Sequence, residues 1–257
     1  MINGNPISYI SYFNSDSCCF IGSFITAPEE RKKGYGKRLW DYALSEVHTK
    51  VGLYGVPAMI NSYNRSGFAA TGIIRRITFT LPEPSNTSVF LRPLMPLSTY
   101  KINAIYTFDQ ELTGVARKPL LEAFINDYAH TITTTEIEND KCSGYGFLRL
   151  LSEGFRLSLY ALNEVCASLI LKSLIESYLH RADFPREKSK AVIVDLPEEQ
   201  IPCTTKLLED LGYIASIQDK QSFMLCTMFY DKSYHGNSNP MPKLAHGCFG
   251  LLSLEAG

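Results

Sequence analysis

Twice along this chain the same order of local signals recurs: a short apolar run, a proline, a helical stretch, a glycine followed by an aromatic residue, and a further extended run. In the first half it is carried by Val51 to Val56, Pro57, the stretch to Ser66, Gly67-Phe68 and Ile73 to Leu81. In the second half it is carried by Ala191 to Leu196, Pro197, Ile201 to Leu211, Gly212-Tyr213 and the run at 213–218. Proline suits the first turn of a helix, where its missing N–H has no intrahelical partner. Glycine suits the position just past a helix end, where a left-handed backbone is needed. Alternating strand and helix signals restrict a chain to architectures in which helices cover a sheet. The recurrence reads as a diverged internal duplication; chance is its rival, because strand–helix–glycine–strand is a common order in α/β proteins.

Ahead of the first copy, Pro6 to Phe13 and Cys19 to Thr26 read as strands joined by a turn at Asn14-Ser15-Asp16. Ala27 to Lys33 is a polar loop. A helix begins at Gly34, with Leu39, Trp40, Ala43, Leu44 and Val47 at the helical period. Pro82 to Ser98 holds four prolines among Ser, Asn and Thr and reads as a linker. The expected organisation is therefore a first domain over 1–82, a linker over 83–99 and a second domain over 100–257. Within the second, Lys101 to Phe108 predicts a strand and Val115 to Tyr128 a helix. Strands are expected near 130–137, 144–151, 155–161 and 222–230, a long helix from Asn163 to Leu179, and a last strand over Cys248 to Leu254.

Composition excludes several classes. The chain has 257 residues, 45% apolar and 20% charged, with a net charge of −1. A near-neutral chain lacks the basic face that nucleic-acid binding usually needs. The seven cysteines are odd in number and contain no Cys-x-x-Cys pair, which argues against a disulfide framework and a zinc site. The five histidines (48, 130, 180, 235, 246) are scattered and show no ligand spacing, so no metal is expected. Residues 1 to 17 have neither a basic start nor an apolar run, and no stretch approaches a membrane span. A cytoplasmic protein with reduced thiols, no membrane partner and no nucleic-acid partner is expected.

One segment carries chemistry. Five of the eight residues from Arg31 to Arg38 are Lys or Arg, and they fall where a strand ends and a helix begins. Cations at a helix N-terminus oppose the helix dipole at some tenths of a kcal/mol each. Their presence there makes sense if an anion binds, since free N–H groups at a helix start are a ready phosphate site. Gly34 and Gly36 would let backbone approach a pyrophosphate closely. The plainer alternative is a solvated basic loop with glycines for turning. The spacing is neither a Walker motif nor Gly-x-Gly-x-x-Gly.

R-K-K-G-Y-G-K-R-L-W after F-I-G-S-F-I-T-A-P-E-E resembles the R/Q-x-x-G-x-G/A acetyl-CoA motif of the GNAT N-acetyltransferase superfamily. V-G-L-Y-G-V-P-A-M-I-N-S-Y-N-R-S-G-F resembles that superfamily's next motif, which ends in Tyr-x-x-x-Gly-Phe. The likeness is greatest to bacterial GNAT proteins with a second, diverged GNAT-like domain, echoed here by G-Y-G-F-L-R (144–149), V-D-L-P-E (194–198) and the ending L-S-L-E-A-G. The resemblance implies an α/β (α+β) fold of tandem GNAT-like mixed β-sheets flanked by helices, the first copy N-terminally shortened. It implies that backbone groups of Phe24, Ile25 and Thr26 pair with the pantetheine arm. Arg31, Lys32, Lys33, Gly34, Tyr35, Gly36 and Lys37 form the loop that holds the pyrophosphate. Tyr63 takes the position that protonates the departing CoA thiolate; a helix tyrosine packing its ring is the plainer reading.

There are departures. Relatives usually carry Asp where this chain has Tyr54. The usual first strand, two helices and second strand, which form much of the acceptor site, precede the region matched here. The implied function is acetyl transfer from acetyl-CoA to a primary amine, on a small molecule or a protein lysine, by a monomer or homodimer. The alternative is a catalytically inactive CoA-binding or protein-interaction module derived from such an enzyme. The second half, which lacks a basic Gly-x-Gly loop, is expected to hold no cofactor.

Overall fold

The first extended runs fold as an antiparallel hairpin of β1 (Ser8–Asn14) and β2 (Cys18–Thr26). The chain continues through α1 (Tyr35–Glu46), β3 (Lys50–Gly55), the short α2 (Ile60–Arg65) and β4 (Ala69–Thr80). Next come α3 (Thr99–Thr113), α4 (Lys118–Asn126), β5 (Thr131–Glu138), β6 (Lys141–Leu151) and β7 (Gly154–Ala161). The remaining elements are α5 (Glu164–His180), β8 (Ala191–Pro197), α6 (Ile201–Asp210), β9 (Ser216–Ile217), β10 (Met224–Tyr230) and β11 (Cys248–Gly250). The structure is a computed structural model that describes residues 5–14, 18–82, 97–138, 141–152, 154–181, 190–218, 224–230 and 248–250. The expected turn at 15–16, most of the expected linker and residues 251–254 of the expected last strand lie outside them. Among the described residues no helix is long and apolar enough to cross a membrane.

The chain divides into two compact units, each assembled from separated stretches. The first unit comprises residues up to Ile73 with the stretch that begins at Leu225. Its mixed sheet has the order β1-β2-β3-β10-β4. β3 is parallel to β2 on one side and antiparallel to β10 on the other, with Gly55 opposite Cys226 and Val51 opposite Tyr230. Helix α1 forms because Leu39, Trp40, Ala43, Leu44 and Val47 fall on one face, and Trp40, Ala43 and Val47 are buried. The Trp40 ring sits 5.1 Å from Phe24, 5.5 Å from Tyr63 and 5.7 Å from Phe68, locking both helices to the sheet.

The second unit comprises Ile74–Met224 with the stretch that contains β11. Its sheet runs β4-β8-β7-β6-β5, with β7 and β8 parallel and the other neighbours antiparallel. Helix α5 lies across β5, β6 and β7. Two glycines of the G-Y-G-F-L-R segment make that docking close. A Cβ on Gly144 would fall 2.6 Å from Ile170, and one on Gly146 would fall 2.9 Å from Ile170 and Leu174.

The glycine–aromatic signal has the same structure at both places. Gly67 and Gly212 are left-handed, at φ +90° and +83°. Phe68 N–H donates to the Tyr63 carbonyl and Gly67 N–H to that of Asn64; Tyr213 and Gly212 make the equivalent bonds to Leu208 and Glu209. This is the Schellman helix end.

Two sequence expectations are corrected. Lys101 to Phe108 is helix α3, not a strand. Its Ile and aromatic residues favour strands, but Ile105, Phe108 and Asp109 bury at helical spacing, the Ser98 hydroxyl accepts from the Lys101 N–H, and Gly114 at φ +69° closes the helix. The run at 213–218 pairs only through Ser216 and Ile217, against Thr78 and Ile77 of β4.

The second unit differs from the first along its parallel strand pair and at its helix start. β7 and β8 pair at Phe155–Val192 and Arg156–Ile193. Further along, β11 lies against β7, with Cys248 opposite Tyr160 and Gly250 opposite Leu159. At the start of α5 the Asn163 side chain accepts from the Cys166 N–H at 2.9 Å, and Glu164 puts a negative charge in the first turn. The helix start is thus capped by its own chain and repels an anion.

Helices α3 and α4 are tied to the sheet by a buried polar network. Asp109, 1% exposed, takes the Arg117 guanidinium at 2.7–3.1 Å and the Tyr145 hydroxyl at 2.5 Å. Burial pushes the Tyr145 phenol well above its usual range, so it stays a donor. Removing one member of a buried pair leaves the other charge uncompensated. Asp109→Asn should therefore destabilise the protein by about 3–5 kcal/mol in denaturant unfolding. The double variant Asp109→Leu/Arg117→Met should recover much of that loss, because no charge is then left buried.

Candidate functional site

The site begins with two parallel strands that part. β2 and β3 pair from Cys18–Lys50 to Ile21–Leu53. Beyond that point β2 is held only from its other side, where Phe24, Ile25 and Thr26 pair with Ile10, Tyr9 and Ser8 of β1. A bulge between Ile10 and Tyr12 bends the hairpin there, and the Ser11 hydroxyl accepts the Ser23 N–H at 2.9 Å. β3 likewise continues through Tyr54 and Gly55 with its pairing on β10. Among the described residues no strand lies between these facing edges. Such edges suit an extended ligand that hydrogen-bonds to main chain.

The slot leads to the start of α1. After Thr26 a 3-10 turn over Pro28–Glu30 carries the chain around, and Arg31 Nε donates to the Thr26 carbonyl at 3.0 Å, fastening the loop to the strand end. Lys32 is left-handed at φ +64° and Gly34 at φ +85°. Gly34 is the N-cap, no side chain caps the helix, and the first turn contains no acid. The N–H groups at this helix start are thus available to an anion. The two glycines act differently. A Cβ on Gly34 would meet nothing within 4 Å, so its requirement is the positive φ. A Cβ on Gly36 would fall 2.8 Å from the Thr26 hydroxyl, so glycine there lets α1 seat against the end of β2.

Slot and helix start border a cavity of about 710 Å3. Its walls include Phe24, Thr26, Arg31, Lys32, Gly34, Gly36, Lys37 and Tyr63 from the sequence-predicted set. Ile25, Lys33 and Tyr35 do not line it: Ile25 points to the other face of β2 and is 58% exposed, while the Lys33 ammonium pairs with Glu30 at 3.1 Å. Lys37 lines the cavity but pairs with Asp41 at 2.6 Å. Glu30, Trp40, Asp41, Leu44, Met59, Ser62, Arg65 and Ser66 complete the wall and were not singled out from sequence. Most carried a usable signal. Lys37, Trp40, Asp41 and Leu44 follow one another at helical spacing on α1, as do Met59, Ser62, Tyr63 and Ser66 around α2.

Tyr63 is half-buried on α2, its ring also 6.2 Å from Phe68. Burial raises its phenol above the ordinary value of 10.0. Its hydroxyl makes no hydrogen bond with any described residue, and it stays protonated throughout the neutral range. Cys18 and Cys19 open β2 and are buried, and burial pushes both thiols up to about 11, so neither offers a thiolate at neutral pH. Among the described residues no group of His, Cys, Asp and Glu could hold a metal ion.

Comparison with known proteins agrees with this geometry. The model of the Acetyltransferase (GNAT) family matches residues 1–68. Holothin acyltransferase of Pseudoalteromonas sp. (strain SANK 73390) is 28% identical over 181 residues, covering 68% of this chain and 60% of that protein. An uncharacterized protein of Caenorhabditis elegans, F36G3.2, is 28% identical over 115 residues, 41% of this chain and 36% of its own length. The chain therefore spans less than two thirds of the length of either relative. Among solved structures, a candidate acetyltransferase from Pyrococcus horikoshii matches with TM-score 0.64 at 15% identity, over 98% of this chain and 76% of its own. A tandem GNAT protein from the clavulanic acid biosynthesis pathway matches with TM-score 0.56 at 11% identity, over 90% and 81%. These structural likenesses speak to fold. The family match lies over the stretch that carries the parting strands and the basic loop, and identifies that stretch as similar to GNAT acetyltransferases.

Proposed function

We propose that this chain transfers an acetyl group from acetyl-CoA to an amine. The observation that carries the reading is the slot between β2 and β3 opening onto an uncapped, acid-free helix start. When bound, acetyl-CoA supplies an acyl group activated as a thioester, and its displaced thiolate needs a proton. Main-chain groups of Phe24, Ile25 and Thr26 offer the pantetheine amides an edge to pair with. The N–H groups of Lys32 to Lys37 offer the pyrophosphate donors aligned with the helix dipole. Tyr63 holds a proton on the cavity wall, and a positioned donor is worth ~10²–10⁴-fold in rate. The first relative's name adds holothin to the acceptors worth testing and leaves the length of the acyl chain open.

The deciding experiment measures CoA release from acetyl-, propionyl- and butyryl-CoA with a panel of amines that includes holothin, polyamines and a lysine peptide. Binding of acetyl-CoA without release to any amine would replace the enzyme reading with that of a binding module. Calorimetric titration should give one CoA per chain, because the second unit's helix start is capped by Asn163 and β11 lies along β7; two per chain would refute this.

Gly34→Val should weaken acetyl-CoA binding at least about tenfold, roughly 1.4 kcal/mol, because a β-branched residue resists the left-handed φ that sets up the loop. Unchanged affinity in the folded variant would sink the loop assignment. Tyr63→Phe retains the ring packing on Trp40 and Phe68 and deletes only the hydroxyl. It should lower kcat by at least about tenfold with acetyl-CoA affinity nearly unchanged. Full activity would leave Tyr63 as a packing residue.

A further inference from the structure

Residues that follow one another on a strand face opposite ways. Ile21 and Leu53, the last cross-strand pair of β2 and β3, belong to the buried cluster that holds Trp40 of α1, with Tyr63 of α2 packed against it. Phe20 and Tyr54, each one residue away, therefore project from the other face of the same sheet. Their rings meet there at 4.8 Å between centroids, tilted by 59°. Gly52 lies opposite Phe20 on one side and Phe229 on the other, and a Cβ on it would fall 2.7 Å from the first ring and 2.8 Å from the second. Both phenylalanine rings thus lean over Gly52, which leaves Phe20 as a firm support for Tyr54. Tyr54 stands one residue past the last pair, where the slot opens, and Phe20 and Tyr54 are only partly buried. Farther along the same face Ile25 and its cross-strand partner Tyr9 are exposed. The slot is therefore bordered by apolar and aromatic side chains on the side away from α1 and α2.

We propose that this second face takes the acceptor, and that the acceptor is an amine carried on a planar aromatic ring, which lies against Tyr54 and Phe20 with its nitrogen turned into the slot. The proposal rests on the acetyl-transfer reading of the slot. Helices α1 and α2 cover the first face, so an amine reaches the slot from the second. A planar ring matches an aromatic wall through offset or edge contact. An aliphatic ammonium drawn to the same rings by cation–π attraction would be held in its protonated form, which has no lone pair for the attack. A ring held by stacking leaves the nitrogen lone pair to form the N–C bond at the thioester carbonyl. The C–S bond breaks with its electron pair on sulfur, and the proton that nitrogen gives up ends on that sulfur. Tyr54 acts here on the choice of acceptor, so its loss should appear in KM for ring-bearing amines and not in cofactor binding.

The test measures CoA release by the full chain from acetyl-CoA with benzylamine and with cyclohexylmethylamine, two amines of similar length and basicity of which only the first carries a planar ring. Wild type should prefer benzylamine by about three- to tenfold in kcat/KM, the scale of an aromatic contact. Tyr54→Leu should abolish most of that preference by raising KM for benzylamine alone, while acetyl-CoA affinity stays within about twofold and the melting temperature holds; Tyr54→Phe should keep it. In wild type, unreactive benzamide should compete with benzylamine where cyclohexanecarboxamide does not, a comparison that depends on no variant. Equal use of the two amines, turnover confined to aliphatic amines, or a Tyr54→Leu loss shared by both amines would overturn the proposal alone. Failure of wild type to release CoA with any amine, polyamines and a lysine peptide included, would overturn the acetyl-transfer reading and this proposal with it.

Discussion

Two parallel strands that stop pairing partway along their length govern the first unit. β2 and β3 are neighbours up to Ile21 and Leu53, and each is then held only from outside, by β1 and by β10. Exposed strand edges normally invite another strand. Here the opening is kept by the bulge at Ser11, which turns the hairpin, and by α1 and α2, whose rings meet at Trp40 on one face of the sheet. The cavity, the loop and Tyr63 all take their positions from that divergence.

The second unit shows what the same layout becomes when the opening is taken up. Its parallel pair β7 and β8 is registered at two positions, and β11 lies along β7 beyond them. Its helix start differs just as sharply: Gly34 in the first unit leaves N–H groups uncapped, while Asn163 in the second satisfies one with its own side chain. Both units retain the same glycine-terminated helix, with matching hydrogen bonds at Gly67 and Gly212. The two units thus share a helix end and differ at the helix start and along the parallel pair.

Charge is arranged to the same end. The basic loop looks uniform in sequence, but acids one helical turn away neutralise Lys33 and Lys37, and a carbonyl fastens Arg31. Exposed pairs of this kind contribute little stability, at most about 1 kcal/mol each. Their consequence is selective: they leave Arg31, Lys32 and Arg65 as the cations on the cavity wall without a described counter-ion.

Local signals were legible because nearest neighbours set them. Periodicity placed α1 and α5, proline and glycine marked both ends of the helices at 57–66 and 201–211, and the basic Gly-x-Gly segment with Tyr63 marked part of the cavity wall. The α3 helix was misjudged because its Ile and aromatic residues favour strands until a cap and a buried face select the helix. Nothing local announced that β10 would return to pair with β3, or that β11 would lie along β7. Strand pairing joins edges distant in sequence, and which edge is free depends on the rest of the sheet. The same holds for Arg65, whose residue type carries no label and whose place on the cavity wall exists only once α1 and α2 pack together. The sequence by itself determined most of the strand and helix segments, through periodicity and their proline and glycine ends, and the basic Gly-x-Gly loop before α1; the tertiary structure alone decided which edges stay open and which cations lack a described counter-ion, because both depend on elements distant in sequence.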